Sequence, residues 1–261
     1  MATKAQPAEG INFSTPSFSW SLLARPRIFL KLAEGILPLS LILMTLLFAI
    51  GLYMALVVSP PDYQQGDAVR IMYVHVPASW LALMIYAFIA VMSLVVLVWR
   101  HTLAEVLAVS AAPLGILFTL LSLATGSLWG KPMWGTFWVW DARLTSVFFL
   151  LLLYGGYVFL CKKVGIRIAS LFSLIGALNL PIIKGSVEWW NTLHQTASIS
   201  KFSAPSLHTS MLTPLLLMTG AYFLYFLSAL ILRTQTELKQ RKLYGTKVRA
   251  LKFKTKINGQ L

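Results

Sequence analysis

The chain has few charged residues and almost no cysteine. Charged residues make up 11% of its 261 residues, and only eight are acidic, whereas an average soluble domain has about 25% charged residues. A single cysteine, Cys161, excludes an internal disulfide and a thiol-exchange pair within the chain. The sequence also contains no P-loop, GxGxxG or HExxH motif and no internal repeat. The composition therefore excludes an ordinary soluble domain, and no common nucleotide-binding or zinc-protease motif points to an enzyme.

Apolar residues make up 57% of the chain and lie in long blocks. A block of about 20 apolar residues can cross the hydrocarbon core of a bilayer as a helix. The first block begins near Ile36, too far along the chain and too long for a typical signal peptide. We therefore predict an all-α integral membrane protein with six transmembrane helices, at about 36–59, 74–98, 105–128, 144–161, 168–184 and 208–232.

The net charge of +14 has two explanations. On a soluble surface it would suggest a nucleic-acid partner, but here the basic residues lie between and after the apolar blocks. Seventeen of the 22 lysines and arginines fall on the side that holds both termini, and five fall in the loops of the opposite side. Because basic residues concentrate in cytoplasmic segments, we predict cytoplasmic termini, three longer outer (periplasmic) loops and no nucleic-acid partner.

The same pattern divides the chain into three parts. Residues 1–35 form a cytoplasmic N-terminal segment, of which 17–34 mixes apolar and basic residues and is suited to the membrane surface. Residues 36–232 form the six-span membrane domain, with the tryptophan-rich loop 129–145 inside it. Residues 233–261 form a basic cytoplasmic tail with nine lysines and arginines. We interpret this tail as a solvated or lipid-contacting segment rather than a specific docking tail.

Tryptophan is concentrated on the predicted outer face. A belt of interfacial tryptophans would mark both membrane faces, but the cytoplasmic side has only Trp20 and Trp99. Six of the nine tryptophans fall in two outer loops, at Trp129, Trp134, Trp138, Trp140, Trp189 and Trp190. This asymmetry requires a cause other than an aromatic belt.

Residues 129–145 read WGKPMWGTFWVWDARLT. Gly130, Pro132 and Gly135 predict that the first turns of this segment are irregular. If the segment is helical, one face carries Trp134, Trp138, Asp141 and Thr145.

Two interpretations of this segment remain open. A surface of indole rings beside Asp141 and Arg143 suits a large, planar, apolar ligand with charged edges, since ring contacts add roughly 0.5–1.5 kcal/mol per pair. Alternatively, Asp141 and Arg143 only cap and anchor the fourth span, because an acidic residue is favourable at a helix N-terminus. Residue chemistry alone does not decide between them.

Three of the four histidines, His75, His194 and His208, lie on the outer face, and His101 lies in a cytoplasmic turn. Imidazole is a common ligand of haem iron, although a lone histidine at a span boundary is more often an interfacial residue. Because no CxxCH motif is present, a haem here would be held non-covalently. The 14-residue spacing from His194 to His208 resembles a two-haem b-type helix, but Pro205 interrupts it and a second helix with a matching histidine pair is missing.

The segment WGKPMWGTFWVWDARLTS closely resembles the WWD signature of the haem-handling proteins of cytochrome c biogenesis. The pieces YVHVPASW and WWNTLHQ and the six-span length resemble one branch of that family, haem exporter protein C (CcmC). The likeness covers about residues 36–232. One departure is Phe137, where a further tryptophan is expected, and an aromatic ring is retained there.

This resemblance implies a function and a set of site residues. His75 and His194 correspond to two axial ligands of a non-covalently bound haem b, and His208 and His101 match neither position. The surface that receives the porphyrin corresponds to Trp129, Trp134, Trp138, Trp140, Asp141 and Arg143. Family members deliver haem at the periplasmic face to the haem chaperone CcmE. They associate with CcmD and the CcmA–CcmB ABC transporter in the inner membrane of bacteria or its organellar equivalent, and they are not enzymes.

Haem propionates need cationic partners, for which Arg143, Arg70 and Lys131 are the nearby outer-face candidates. Two other functions are alternatives to haem delivery. A membrane redox protein would use a b-type haem to reduce a quinone or the chaperone-bound haem. A haem permease would need a polar path, but the predicted spans carry almost no ionisable residue at mid-membrane, where such residues usually mark pathways.

Overall fold

The computed structural model describes residues 26–190, 192–194 and 207–258, with side chains described as far as residue 246. Residues 1–25 and Pro205, on which two of the sequence predictions depend, lie outside this range. Within it the chain forms seven α-helices, α1 Pro26–Tyr53, α2 Met72–Trp99, α3 Thr102–Trp134, α4 Ala142–Lys163, α5 Ile166–Gly176, α6 Asn179–Trp189 and α7 Thr209–Asn258. A π-helical turn, Met54–Val58, extends α1, and a 3₁₀ turn, Asp67–Ile71, precedes α2.

These helices make six segments that are long and apolar enough to cross a membrane, which confirms the predicted fold class. The predicted spans match them in order, but the helices are longer. The first helix begins at Pro26 rather than near residue 36, so half of the predicted surface segment 17–34 is part of that helix.

The fifth span consists of two helices, α5 and α6, with a break at Ala177 and Leu178. Pro181 lies in the first turn of α6 and has no N–H to bond the carbonyl of Ala177. Leu180 N donates to that carbonyl instead, at 3.0 Å. The hydrogen-bond ladder is thus interrupted between α5 and α6, and α6 carries its residues toward the outer loops.

The helices alternate in direction, so the loops that follow the first, third and fifth spans meet at one end of the bundle. The opposite end holds two tight turns. At the first of these, Arg100 adopts a left-handed conformation (φ 51°), and the His101 side chain caps α3 by accepting from Ala104 N at 3.2 Å. His101 therefore has a structural role.

Helices α2 and α3 form the centre of the bundle. Large buried side chains of α2 and α4, including Tyr86 and Tyr154, pack edge to face with ring centroids 4.9 Å apart. Helix α1 lies at the periphery, where it packs mainly on α7 and buries only Ala33, Ser40 and Gly51. Helix α1 therefore contributes little to the core, and many of its apolar side chains are exposed.

Helix α7 has 50 residues and is about 75 Å long at 1.5 Å per residue, more than a bilayer requires. Its extension is tied to the bundle by Arg241, whose guanidinium donates to Glu105 of α3 at 2.7 Å and to Glu237 at 2.8 Å. The helix therefore continues well past residue 232, where the predicted span ends.

The tryptophan segment differs from the prediction. Helix α3 runs regularly through Gly130 and Pro132 and ends at Gly135, which caps it with φ 76°. Residues 135–141 are not helical, and α4 begins after Asp141. The prediction that the first turns of this segment are irregular was therefore wrong. The single face considered for a helical segment does not form, because the left-handed glycine ends the helix between Trp134 and Trp138.

Candidate ligand-binding site

A cavity of about 560 Å³ lies at the end of the bundle where the three longer loops meet. Its volume is within the range of about 300–1,000 Å³ that is usual for small-molecule and cofactor sites. The cavity reaches the protein surface, because one of its lining residues, Tyr63, is 90% exposed. Five of the site residues predicted from the sequence line this cavity, namely His75, Trp129, Trp134, Arg143 and His194.

His75 lies in the first turns of α2 and faces α3 across the cavity wall. Its Nδ1 is 3.0 Å from the carbonyl oxygen of Ser122 and 3.1 Å from Oγ1 of Thr125. A carbonyl oxygen can only accept, so His75 Nδ1 carries the proton and donates it. The lone pair therefore lies on Nε2, the ring nitrogen near Ser79 Oγ at 3.5 Å.

His194 lies in the loop after α6, and its Nδ1 is 3.3 Å from Oδ2 of Asp141. A carboxylate accepts hydrogen bonds and does not donate them, so Nδ1 again carries the proton and Nε2 carries the lone pair. Burial lowers the pKa of His194 below its ordinary value of 6.5, the Asp141 carboxylate opposes that shift, and the charge of Arg143 adds to it. The imidazole is consequently neutral at pH 7 and available as a ligand.

Each of these imidazoles packs against the ring of one tryptophan. The Trp129 ring meets His75 at 5.7 Å between centroids in a T-shaped contact, and the Trp134 ring meets His194 at 4.8 Å. Trp129 Nε1 donates to Oε1 of Gln65 at 2.9 Å, which attaches the loop between the first two spans to α3. Each histidine therefore has one fixed aromatic neighbour.

The other tryptophans of the segment form a separate group. Trp138 contacts both Trp140 and Phe148, with ring centroids 5.3 and 6.3 Å apart. Neither Trp138 nor Trp140 lines the cavity, and Trp140 is 74% exposed. The structure thus separates the predicted platform into a cavity wall and an exposed aromatic group beside it.

Asp141 does not line the cavity either. Its Oδ1 accepts from Leu144 N at 2.8 Å and caps α4, as the structural interpretation predicted. Its other oxygen holds His194. At this residue the structure confirms the capping interpretation, and the ligand-platform interpretation stays a prediction.

The three cationic candidates have different surroundings. Arg70 donates to the carbonyl oxygens of Ala55 and Leu56 and to the Asp67 carboxylate, so it ties the end of the first span to the start of the second. Lys131 donates to the carbonyl of Gly135 and lies over the Phe137 ring. Arg143 alone of the three lines the cavity, where its Nε donates to Ser186 Oγ at 3.0 Å.

Sequence reasoning missed the residues that support His75. Ser79 is four positions after His75 on the same helix face, a spacing that could have identified it. Ser122 and Thr125 lie on α3, 47 and 50 positions from His75 in the sequence, and only the packing of α2 on α3 brings them near. Of the outer-face histidines, His208 is exposed at the start of α7 and does not line the cavity.

Fold and site together define a six-span membrane protein with a cavity that reaches the surface and is lined by tryptophan and by two histidines. The chain belongs to the family described as Heme exporter protein C, whose model matches residues 19–249. This confirms the resemblance seen in the tryptophan and histidine motifs.

Curated relatives extend the match over most of the chain. The Heme exporter protein C of Bradyrhizobium diazoefficiens is 48% identical over 225 residues, covering 84% of this chain and 85% of the relative. That of Haemophilus influenzae is 40% identical, covering 87% of this chain and 95% of the relative. That of Escherichia coli K12 is 45% identical, covering 65% of this chain and 71% of the relative.

Proposed function

We propose that this protein binds haem b non-covalently between His75 and His194 at the periplasmic face of the inner membrane and delivers it to the haem chaperone CcmE for c-type cytochrome assembly. The observation that carries the proposal is that both imidazoles line one cavity and that Nδ1 of each lies within hydrogen-bond distance of an oxygen acceptor, which leaves Nε2 unprotonated. Haem iron binds the unprotonated nitrogen of a neutral imidazole. Two Nε2 lone pairs in one cavity are therefore suited to a pair of axial ligands.

The remaining cavity wall supports a porphyrin as cargo. Aromatic and aliphatic side chains from α2, α3 and α6 surround the two imidazoles, and burying a flat apolar ring against them is favourable. Arg143 supplies a guanidinium that can bind a carboxylate with two parallel hydrogen bonds. A haem propionate is the carboxylate that fits this position.

The test of ligation is the visible spectrum of the purified protein beside those of His75→Ala and His194→Ala. We expect a low-spin bis-histidine spectrum from the wild type and its loss in each variant. His208→Ala is the matched control, because His208 is an outer-face histidine that does not line the cavity, and it should retain the spectrum. A bis-histidine spectrum that survives in both single variants would refute the ligand assignment.

Arg143 is tested by measuring haem content and chaperone loading. We expect Arg143→Ala to lower haem content, since no other guanidinium of the described residues lines the cavity. Lys131→Ala is the control, because Lys131 is on the same face but binds Gly135 and Phe137. If Arg143→Ala changes neither haem content nor loading, the propionate assignment is wrong.

Delivery requires that a partner can approach the bound ring. The cavity reaches the surface beside Tyr63, and the exposed Trp140 lies on the same end of the bundle. We infer that CcmE receives haem at this opening, in a complex with CcmD and the CcmA–CcmB ABC transporter. Purified haem-loaded protein mixed with CcmE should lose its haem to the chaperone, whereas a redox protein should keep it and cycle it with added donor and acceptor.

The proposed orientation follows from the distribution of basic residues. The turn at Arg100 and the turn at Lys162 and Lys163 lie at the end opposite the cavity, and basic residues favour the cytoplasmic side. We infer cytoplasmic termini, a membrane domain over residues 36–232, and a basic tail at 233–261 beside the anionic inner leaflet. The cavity then opens to the periplasm.

A further inference from the structure

We propose that Asp141 is a positioning residue that fixes His194 for iron and makes His194 the tighter of the two axial ligands. The inference rests on the proposed function, because it assumes that His194 and His75 both bind haem iron. It differs from the resemblance, which places Asp141 on the surface that receives the porphyrin.

The position of Asp141 supports this role. Its side chain is only 6% exposed and does not line the cavity. One carboxylate oxygen is held by Leu144 N at the start of α4, and the other lies 3.3 Å from His194 Nδ1. The carboxylate is thus fixed by a helix terminus and directed at the nitrogen of His194 that does not bind iron.

His75 has a different kind of partner. Its Nδ1 donates to the Ser122 carbonyl and to the Thr125 hydroxyl, which itself donates to the Leu121 carbonyl at 2.6 Å. Both acceptors are neutral. A buried carboxylate draws the Nδ1 proton more strongly than neutral oxygens do, and so makes the imidazole a more basic ligand. The two axial bonds would therefore differ in strength, with His194 as the stronger ligand.

Asp141→Asn separates this role from the capping role. Asparagine caps helices as well as aspartate does, so its Oδ1 can keep the bond from Leu144 N. Its amide nitrogen then faces His194, where a donor would meet the Nδ1 proton. His194 must shift its proton to Nε2 or turn away, and either change removes the lone pair that iron needs.

The experiment measures haem affinity, visible spectrum and midpoint potential in Asp141→Asn and Thr125→Val. We expect Asp141→Asn to weaken haem binding by roughly 10- to 100-fold, as is typical for partners of metal-binding histidines. We also expect a high-spin fraction and a raised midpoint potential. An anionic ligand environment favours ferric iron, and Asp141→Asn removes that anion.

Thr125→Val should change haem affinity, spectrum and midpoint potential less, since the Ser122 carbonyl still accepts from His75. The thermal midpoint of the haem-free protein should be similar in Asp141→Asn and wild type.

Two results would overturn the inference while leaving the proposed function intact. One is a bis-histidine spectrum in Asp141→Asn with unchanged affinity and potential. The other is a loss in Thr125→Val as large as that in Asp141→Asn, since the two ligands would then be supported equally. Failure of the proposed function has a different signature, the survival of the bis-histidine spectrum in both His75→Ala and His194→Ala.

Discussion

The Oδ2 atom of Asp141 lies 3.3 Å from Nδ1 of His194, although 53 positions separate the two residues in the sequence. Asp141 caps the N-terminus of α4 and His194 follows α6, so this contact joins the tryptophan segment to the last outer loop. The packing of α4 against α6 sustains it, with Arg143 Nε donating to Ser186 Oγ at 3.0 Å. The position of one histidine of the cavity therefore depends on where α4 begins.

The protonation of His194 should follow its surroundings. Burial lowers its pKa below 6.5, Asp141 raises it, and Arg143 lowers it. In the haem-free protein we expect an NMR titration of the His194 ring to give a midpoint below 6.5. Because Arg143 lowers the pKa, Arg143→Gln should move this midpoint upward. A downward shift would contradict the assignment of Arg143 to the surroundings of His194.

Because the pKa of His194 is lowered, we expect both the stability of the protein and its affinity for haem to depend on pH. The folded protein binds the His194 proton less readily than the unfolded chain does, so this residue's contribution to stability is lost as pH falls from about 6.5 through the lowered folded pKa. A proton also competes with iron for the imidazole lone pair. Haem affinity should therefore be constant above pH 7 and decrease toward acid pH, and an affinity that rises on acidification would contradict this prediction.

Gly126 gives His75 the space for its ring. A Cβ atom at Gly126 would lie 3.0 Å from Cε1 of His75 and 3.4 Å from its Nδ1, so alanine would push the ring away from the Ser122 carbonyl. Alanine is favoured over glycine in a helix by about 0.5–1 kcal/mol. We expect Gly126→Ala to lower haem affinity several-fold while the helix itself is not weakened.

Gly155→Ala is the matched control, because Gly155 lies in helix α4 with nothing within 4 Å of its added Cβ. Equilibrium binding of haem to both purified variants, with thermal unfolding measured in parallel, checks the prediction. Equal haem affinity in the two variants would show that His75 does not need the close approach to Gly126.

Much of the fold could be predicted from the sequence because a membrane span is specified locally. A long apolar run must satisfy its own backbone hydrogen bonds in lipid, so six runs gave six spans. The split in the fifth span was harder to predict, although Pro181 marked its position. Its cause is local geometry, since Leu180 replaces Pro181 as the donor to the Ala177 carbonyl.

The site was predictable only in part. The motifs identified His75, His194, Trp129 and Trp134, and the structure brings all four to one cavity. The supporting bonds could not be read from the sequence, because Ser122 is 47 positions from His75 and Asp141 is 53 from His194. Helical periodicity misplaced Trp138, since it assumes a continuous helix and the left-handed Gly135 ends that helix.

The tryptophans should divide into two functional groups. Trp134 lines the cavity and contacts His194, so Trp134→Ala should lower haem content by removing one wall and freeing the imidazole. Trp140 is 74% exposed and contacts Trp138 and Phe148 instead. We expect Trp140→Ala to retain haem but to load the chaperone less efficiently. Haem content and chaperone loading measured on both variants decide this, and equal haem loss in both would contradict the division.

The orientation of the protein can be tested with its single cysteine removed. In a Cys161→Ser background, Tyr63→Cys places one thiol in the loop beside the cavity, and Tyr244→Cys places one near the far end of α7. Both positions are well exposed, at 90% and 72%. If the cavity faces the periplasm, a membrane-impermeant maleimide added to spheroplasts should label Tyr63→Cys at once and Tyr244→Cys only after lysis. The reverse pattern would place the cavity in the cytoplasm and exclude periplasmic delivery. Because the two variants share one background and comparable exposure, a difference between them reports the side of the membrane rather than the reactivity of the thiol.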